Sequence, residues 1–360
     1  MDASGGGKAC AIRSMAVLTV VTSSPPSVEG GHLVIARALV EAARGCGHDA
    51  HLIVTPDYGF GRLFATYAAT LKVDVSHVDG RRVDQVISLR YPSFGVRHSA
   101  HVCWLNHAMR EYYDLWPRLA ASLSPRNKVK EGIRRRLLHA VDRHLLKRHV
   151  TQVVAQSYTI QSRLLADFGI HADVLHPPPP QRPYRCDEYG DYIFAISRLN
   201  PLKRVDLLVR ALAEAPARSV RAVIGGEGES AGELHALARS LSVVDRVRFL
   251  GRVDEPTMLA HLARCRAVCF TPYAEDYGFV TAEAFASRKA VITCRDSGGP
   301  TELVVDEETG VVCDPTPASL AIALARLSDD RRLAERLGSN AETRAATMSW
   351  DAAVRRLVIV

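Results

Sequence analysis

The sequence predicts an α/β protein with two domains, on the basis of three observations. Short apolar runs of strand length alternate with segments of helical periodicity over most of the 360 residues. Glycine-rich loops join many of these strands to the helix that follows, as in sheets whose strands run parallel. Near the middle, four consecutive prolines at 177–180 can continue neither a helix nor a sheet ladder. Each half of the chain is long enough to bury a core of its own.

The first half opens as a Rossmann-like unit, with an apolar strand, a loop containing Gly30 and Gly31, and a helix over 32–43. The loop lacks the G-x-G-x-x-G pattern, so a dinucleotide is not indicated. Further along, Ser157 is placed to cap a helix that runs to Leu165. The strands predicted in this half span residues 16–21, 51–54, 85–89, 101–105, 152–155 and 173–175.

The second half restarts with a strand, and helices dominate from residue 319 onward. We expect the last helix, which contains Trp350, to return to the first domain. The strands predicted in this half span residues 192–196, 221–224, 247–250, 267–270 and 290–293. The predicted organisation is a disordered tail at 1–13, a first domain at 14–176, a proline-rich linker at 177–183, a second domain at 184–345 and a C-terminal helix at 346–360.

The stretch from 271 to 302 carries the strongest functional signal. A polar loop follows a strand, and Gly278 opens a helix whose first amides, on Phe279 and Val280, face the carboxyl edge of a parallel sheet. Phosphate suits such a helix N-terminus. Glu275 and Glu283 flank this point, and carboxylates suit neutral hydroxyls rather than phosphate. A nucleotide sugar carries both kinds of group.

Two cations are predicted at the same crevice. Arg198 and Lys203 flank the loop between the strand at 192–196 and the next helix. Positive side chains at a helix start oppose the helix dipole, so we expect an anion to compensate for them. A nucleotide diphosphate needs such neutralisation, and as a leaving group it needs more of it as the bond breaks.

The segment P-Y-x-E-D-Y-G-F-V-x-x-E-A-F, followed by D-S-G-G-P-T-E, resembles one family of retaining GT-B glycosyltransferases. This is the family with the E-x7-E signature, also called glycosyltransferase family 4 or glycosyl transferases group 1. Glu275 and Glu283 form a complete signature pair, and the resemblance extends from about Ala16 onward. It implies two Rossmann-like domains whose parallel sheets face a central cleft, the first binding acceptor and the second binding donor.

The resemblance also implies roles for individual residues. Glu275 would contact the donor sugar hydroxyls and Glu283 the ribose, while Arg198 and Lys203 would neutralise the diphosphate. His107, at the carboxyl end of the strand at 101–105, would approach the donor sugar across the cleft. From the residues alone, a purely structural role for His107 stays open.

Glycines complete the predicted donor site. Gly31 matches a glycine-rich loop of the family, and Gly226 lies in a loop that resembles its nucleotide-base pocket, although each could be a plain turn. Ser197 replaces the glycine that most relatives carry. The predicted catalytic residues are His107, Arg198, Lys203 and Glu275, and the predicted donor-binding residues are Gly31, Arg198, Lys203, Gly226, Glu275, Gly278, Phe279, Val280 and Glu283.

The implied activity is transfer of a hexosyl unit, with retention, from a UDP- or GDP-linked sugar to a hydroxyl of an unidentified polysaccharide, lipid-linked or natural-product acceptor. The family lacks an established protein nucleophile, so no covalent intermediate through Glu275 is expected. No D-x-D motif occurs in the sequence, and neither a metal nor a cofactor is expected. One alternative is a non-catalytic nucleotide-sugar-binding protein. Two further alternatives are a nicotinamide-dependent oxidoreductase, whose G-x-G-x-x-G fingerprint the sequence lacks, and a serine hydrolase.

The net charge of +7 is concentrated in one segment. Between 118 and 150 there are ten Lys or Arg side chains and only two acidic ones, Glu131 and Asp142. The segment predicts an amphipathic helix at 126–149 whose basic face is either solvated or meets anionic lipid or a phosphorylated acceptor. Nucleic acid is not expected, because the segment has no aromatic side chain to stack on bases. The apolar residues at helical spacing are Ile133, Leu137, Leu138, Val141, Leu145 and Leu146.

Cysteine usage and hydropathy bear on the compartment. The eight cysteines are scattered, and Cys265 and Cys269 lack a second pair or a histidine cluster at zinc spacing, which favours reduced structural thiols. No apolar run reaches the roughly 18 residues that span a bilayer, and the N-terminus lacks a hydrophobic signal core. We expect a cytoplasmic protein, either free or peripheral to the inner face of the membrane.

Overall fold

The computed structural model describes residues 15–25 and 30–360 and divides into two units. The first unit comprises residues up to 154 together with 350–360, and the second comprises residues 155–349. Each unit is built on parallel strands, which confirms the predicted α/β class. The predicted tail at 1–13 lies outside the described residues.

The first unit has a central parallel sheet and a short antiparallel hairpin. All eight residues of the strand β1 are buried, and most of them are apolar or β-branched. This composition is expected of a parallel strand in a sheet that is covered on both faces. The strands are β1 Val17–Ser24, β2 Asp49–Pro56, β3 His77–Val78, β4 Arg81–Arg82, β5 Gln85–Ser88, β6 His101–Leu105 and β7 Gln152–Ala155. The helices are α1 Gly31–Gly45, α2 Leu63–Leu71, α3 Trp116–Ser122 and α4 Pro125–Arg148, with α13 Trp350–Leu357 from the chain end.

The second unit alternates strands and helices more regularly. Ser157 caps its first helix by accepting a hydrogen bond from the Ile160 amide at 3.1 Å, as the sequence predicts. The strands are β8 Asp173–Val174, β9 Tyr192–Ile196, β10 Arg221–Gly225, β11 Val247–Gly251, β12 Ala267–Cys269, β13 Val291–Cys294 and β14 Gly310–Cys313. The helices are α5 Tyr158–Arg163, α6 Val205–Ala211, α7 Ala231–Ser240, α8 Glu255–Arg264, α9 Phe279–Ala286, α10 Pro300–Leu303, α11 Pro317–Asp329 and α12 Arg331–Ala346.

Both sheets reverse their strand order at a central strand. In the second unit the order is β11-β10-β9-β12-β13-β14. Each strand of this sheet runs parallel to its neighbours. This is the doubly wound order 3-2-1-4-5-6 of Rossmann sheets. In the first unit the strands of the main sheet lie in the order β2-β1-β5-β6-β7. Each sheet therefore has a switch point, between β9 and β12 in one and between β1 and β5 in the other.

The division between the units falls after Val154, inside β7. The prolines at 177–180, predicted as part of a linker, therefore lie within the second unit. The C-terminal helix α13 is grouped with the first unit, where the Trp350 ring meets the Trp104 ring edge-on at 6.2 Å. The Gln85 side chain also donates to the Leu357 carbonyl at 2.7 Å. The exact domain limits proposed from the sequence stay a prediction.

The basic helix α4 buries a different set of residues from the one predicted. Leu138, Leu145 and Leu146 pack inward as expected, but Ile133 and Leu137 are exposed. The prediction that all six apolar residues lie on one buried face is therefore wrong. Part of the inward face is occupied by polar residues instead. Among the described residues, no helix combines the length and the apolar character needed to cross a membrane.

Two acidic residues occupy the inward face of α4 instead. Asp142 is fully buried and accepts hydrogen bonds from Tyr67 and, at 2.7 Å, from Tyr113. Glu131 accepts one from Tyr112 at 2.6 Å. Burial of a carboxyl group is tolerated when hydrogen-bond donors surround it, and three tyrosines supply them here. The two acidic residues of this basic segment are thus anchors of the helix.

Asp142 should make stability depend on pH. Burial raises its pKa to about 7, against the hydrogen bonds from Tyr67 and Tyr113, which lower it. A carboxyl whose pKa is higher in the folded state stabilises the fold at low pH, and this contribution is lost as the pH rises towards 7. Because the amide of Asp142→Asn does not titrate, the stability of wild type relative to this variant should fall between about pH 4 and pH 7. Denaturant unfolding across that range measures it, and parallel stability curves would contradict the account.

Candidate functional site

The strand order of the second sheet places the predicted donor site at its switch point. β9 lies between β10 and β12, and the loops after β9 and β12 leave the sheet side by side. Ligands of open α/β sheets bind outside the carboxyl ends of the strands at such a point. The first of these loops carries Arg198 and Lys203, and the second carries Glu275. The helix α9 starts directly after the second loop.

Lys203 and Glu275 form the central contact of the site. The Lys203 ammonium lies 2.7 Å from both carboxylate oxygens of Glu275, and the two side chains are only 20 % and 17 % exposed. The ammonium also lies 5.5 Å from the centre of the Phe270 ring. The sequence predicted separate ligand contacts for these two residues, and the structure pairs them with each other.

Arg204 follows Lys203 in the sequence, and its side chain links the loops after β9 and β12 to the loop after β13. Its guanidinium donates to the backbone carbonyls of Thr271 and Pro272 at 2.8 and 2.7 Å. It also forms a two-point ion pair with Asp296, in the loop after β13, with both distances 2.7 Å. The backbone of Arg204 is left-handed, with φ of 49°, an uncommon conformation for a residue other than glycine. This conformation lets the chain turn into α6 immediately after Lys203.

Backbone hydrogen bonds hold the Glu275 loop in place. The amides of Ala274 and Glu275 donate to the carbonyls of Asp296 and Ser297 at 2.9 and 2.8 Å. The Gly299 amide donates back to the Glu275 carbonyl at 2.8 Å. The position of the Glu275 carboxylate is therefore set by the loop after β13 as well as by Lys203.

Helix α9 presents its N-terminus at this point. The preceding Gly278 has φ of 85°, and a Cβ atom there would lie 2.8 Å from the Phe270 ring and 3.0 Å from Pro300. Only glycine fits both the conformation and the space. The structure records no hydrogen bond from the Phe279 or Val280 amide to any described residue. These two amides are suited to an anionic ligand, as predicted.

Glu283 lies one turn further along α9 and is buried, with 6 % of its surface exposed. Burial raises the pKa of its carboxyl to about 7, while the guanidinium of Arg182 and the hydroxyl of Tyr184 act in the opposite direction. Arg182 forms an ion pair with Oε1 of Glu283. The Tyr184 hydroxyl donates to the same oxygen at 3.3 Å. Sequence reasoning predicted Glu283 and missed both partners.

The remaining predicted residues of this unit surround the loop after β9. Arg198 is exposed, and its side chain forms no ion pair within 15–25 and 30–360. Gly226 packs against the backbone of the same loop, since a Cβ atom there would lie 1.8 Å from the Ser197 carbonyl oxygen. Gly226 thus supports the loop that carries Arg198 and Lys203.

Gly31 and His107 lie in the first unit. Gly31 is the first residue of α1, just after the loop that leaves β1, part of which lies outside the described residues. His107 follows the end of β6, and its Nδ1 lies 2.7 Å from the Ala108 carbonyl, which implies that Nδ1 carries a proton. Both residues lie beyond the carboxyl ends of parallel strands, as the sequence predicts.

Glu302 is the last residue of the D-S-G-G-P-T-E segment, and the structure uses it as a helix cap. Its carboxylate accepts hydrogen bonds from the Tyr158 and Thr159 amides at the start of α5, both at 2.7 Å. His176 approaches it at 2.9 Å. Although burial opposes ionisation, these hydrogen bonds lower its pKa. No sequence spacing links residues 158 and 302, so only the fold reveals this cap.

Residues 182–344 match the family described as "Glycosyl transferases group 1". This segment belongs to that family. The group 1 segment includes Arg198, Lys203, Glu275 and Glu283, so the match falls on the unit in which the predicted donor site is assembled. The resemblance inferred from the E-x7-E pair is thereby confirmed.

Curated relatives of the chain include two D-inositol 3-phosphate glycosyltransferases. The enzyme of Catenulispora acidiphila is 39% identical over 171 residues, which are 44% of this chain and 39% of the relative. That of Thermomonospora curvata is 39% identical over 178 residues, or 46% of this chain and 41% of the relative. The matched segments span about two fifths of the relatives' length.

Solved structures resemble the chain over nearly its whole length. Sucrose-phosphate synthase of Thermosynechococcus elongatus superposes with a TM-score of 0.74 at 17% identity, covering 94% of this chain and 97% of the other. HepE of Anabaena, in complex with UDP and glucose, gives 0.68 at 18% identity with the same coverage. Likeness at such low identity establishes the fold, and the chain has the GT-B fold predicted from its sequence.

Proposed function

We propose that this protein is a glycosyltransferase that moves a hexosyl unit from a UDP- or GDP-linked sugar to an acceptor hydroxyl. The observation that carries the proposal is the paired Lys203 and Glu275 at the switch point, beside the open N-terminus of α9. Membership of the group 1 family supports it. The HepE structures, which contain UDP, UDP-glucose or UDP with glucose, support the class of donor.

Donor binding would replace the contact between Lys203 and Glu275 by contacts of each residue with the donor. The diphosphate would sit at the amides of Phe279 and Val280, close to the helix dipole. Lys203 and the exposed Arg198 would turn to its oxygens, and Glu275 would then accept hydrogen bonds from the sugar hydroxyls. The positive groups matter most while the diphosphate leaves, because negative charge develops on it as the glycosidic bond breaks.

We propose further that the reaction retains configuration and needs no metal. The two cations and the helix N-terminus would supply the charge that a metal ion provides in other transferases. The acceptor hydroxyl would attack on the face that the diphosphate leaves, and the diphosphate would take its proton. Glu275 would then act by orienting the sugar.

Donor binding is testable by calorimetric titration with UDP and GDP, with and without EDTA. Wild type should bind one of them with unchanged affinity in EDTA, and Lys203→Ala and Arg198→Ala should each weaken binding by about tenfold or more, roughly 1.4 kcal/mol. Arg239→Ala, on the exposed surface of α7, is the matched control and should bind as wild type does. Absence of nucleotide binding, or wild-type affinity in both site variants, would remove the proposed donor site.

The exposed face of α4 supports a second part of the proposal, contact with an anionic membrane. Val129, Ile133 and Leu137 are 66%, 64% and 48% exposed and recur every four residues, so they form one line along the helix. Exposed basic residues, including Lys130 and Arg136, flank this line. A helix whose solvent-exposed surface carries both apolar and basic side chains is suited to bind at the interface between water and an anionic bilayer.

Vesicle sedimentation tests this contact. The protein should sediment with vesicles that contain phosphatidylglycerol and much less with phosphatidylcholine alone. Replacement of Val129, Ile133 and Leu137 by serine should abolish sedimentation, because the apolar line supplies the insertion energy. Ile322→Ser, an equally exposed apolar residue on α11, serves as control. Wild-type protein that stays in the supernatant with anionic vesicles would refute membrane contact.

A further inference from the structure

Arg182 joins two carboxylates at the edge of the donor site. It lies at the start of the group 1 segment, ten residues before β9. Its Nε lies 2.7 Å from Oε2 of Glu255 in an ion pair, and its Nη1 forms the ion pair with Oε1 of Glu283. Glu255 opens α8 and is half exposed, whereas Glu283 is buried. Arg182 therefore ties the buried acid of α9 to the surface acid of α8.

The two oxygens of Glu283 have different surroundings. Oε1 takes both internal contacts, from Arg182 and from the Tyr184 hydroxyl. Oε2 accepts no hydrogen bond from any residue within 15–25 and 30–360, and it is not fully enclosed by protein. A carboxylate oxygen left without a donor in a mostly buried place is costly, so this oxygen is suited to a donor group of a ligand.

The position of Glu283 limits what that ligand group can be. Glu283 lies four positions after Phe279, which at 1.5 Å per residue is about 6 Å along the helix axis. A phosphate at the helix N-terminus would thus have its attached sugar near Glu283. A carboxylate repels a second phosphate but accepts hydrogen bonds from neutral hydroxyls.

We propose that Arg182 and Tyr184 are positioning residues that hold Oε1 of Glu283, so that Oε2 accepts a hydrogen bond from a ribose hydroxyl of the donor nucleotide. This rests on the proposed function and adds to it the source of a preference for ribonucleotides over deoxyribonucleotides. The guanidinium also opposes the rise in the pKa of Glu283 that burial causes, and so favours the ionised form, in which both oxygens act as acceptors. With Arg182 removed, the carboxyl group would rotate or take up a proton, and the preference would be lost.

The test compares the affinity of UDP with the affinities of 2′-deoxy-UDP and 3′-deoxy-UDP in calorimetric titrations. The guanine series replaces it if GDP binds more tightly. Wild type should favour the ribonucleotide over at least one deoxynucleotide by about tenfold, the value of one lost hydrogen bond to a charged group. Arg182→Met should reduce this preference to within about twofold, while the affinity for the deoxynucleotide changes by less than about threefold.

Three further variants make the result specific. Glu283→Gln should lose the same preference, and Tyr184→Phe should lose part of it. Arg182→Lys keeps the charge and guards against a variant that fails to fold; it should retain part of the preference. Arg185→Met is the matched control, because Arg185 is exposed and, among the residues that the structure describes, forms an ion pair only with Asp187, at 2.9 Å. It should leave both affinities unchanged.

Two results would overturn the inference while leaving the proposed function in place. In one, Arg182→Met weakens the ribonucleotide and the deoxynucleotides equally, which would make Arg182 a general support of the fold. In the other, the preference survives in Arg182→Met and Arg182→Lys, which would remove Arg182 from ribose recognition. Failure of the wild type to bind either nucleotide would instead refute the proposed function, and the inference with it.

Discussion

The candidate site depends on one side chain, the guanidinium of Arg204. It joins the loop after β9 to the loop after β12 through two carbonyls and to the loop after β13 through Asp296. All three loops leave the same edge of the second sheet, where nothing in the strand ladder fixes their mutual position. With this link in place, Lys203 and Glu275 come within 2.7 Å of each other. The Tyr273 amide, which donates to the Leu202 carbonyl at 2.7 Å, adds a backbone link between the first two of these loops.

Both carboxylates assigned to the donor already hold a cation. Glu275 pairs with Lys203, and Glu283 pairs with Arg182. The two pairs differ in what binding would do to them. The first would open, because Lys203 is needed by the diphosphate and Glu275 by the sugar. The second would persist, because only Oε1 of Glu283 is engaged and Oε2 is available to the ligand. The site thus combines an exchangeable contact with a fixed one, and fixed contacts reduce the ordering that binding requires.

Sequence patterns correctly predicted the features that depend on neighbouring residues, such as strands, a helix cap and a glycine turn. Apolar runs located β6, β7 and β9 to the residue, Ser157 was recognised as a cap, and Gly278 was placed before a helix because the turn demands it. Long-range contacts were missed. Arg204 and Arg182 look like ordinary surface cations in the sequence, and their partners lie about 70 to 100 residues away.

For the basic helix α4, the sequence predicted the wrong set of buried residues. Its apolar spacing predicted a single buried stripe, yet Ile133 and Leu137 are exposed while Asp142 is buried. A carboxyl group can replace a leucine in a core only where hydrogen-bond donors converge on it, and the donors to Asp142, Tyr67 and Tyr113, come from other parts of the chain. Helical periodicity contains no information about such partners.

The central claim is that the second unit holds a nucleotide diphosphate at the N-terminus of α9. The most direct measurement is a crystal structure of the protein with the nucleoside diphosphate that binds most tightly. The account predicts diphosphate oxygens within hydrogen-bond distance of the Phe279 or Val280 amide and of Arg198 and Lys203, with Lys203 released from Glu275. A nucleotide bound elsewhere, with the Lys203–Glu275 pair intact, would contradict it.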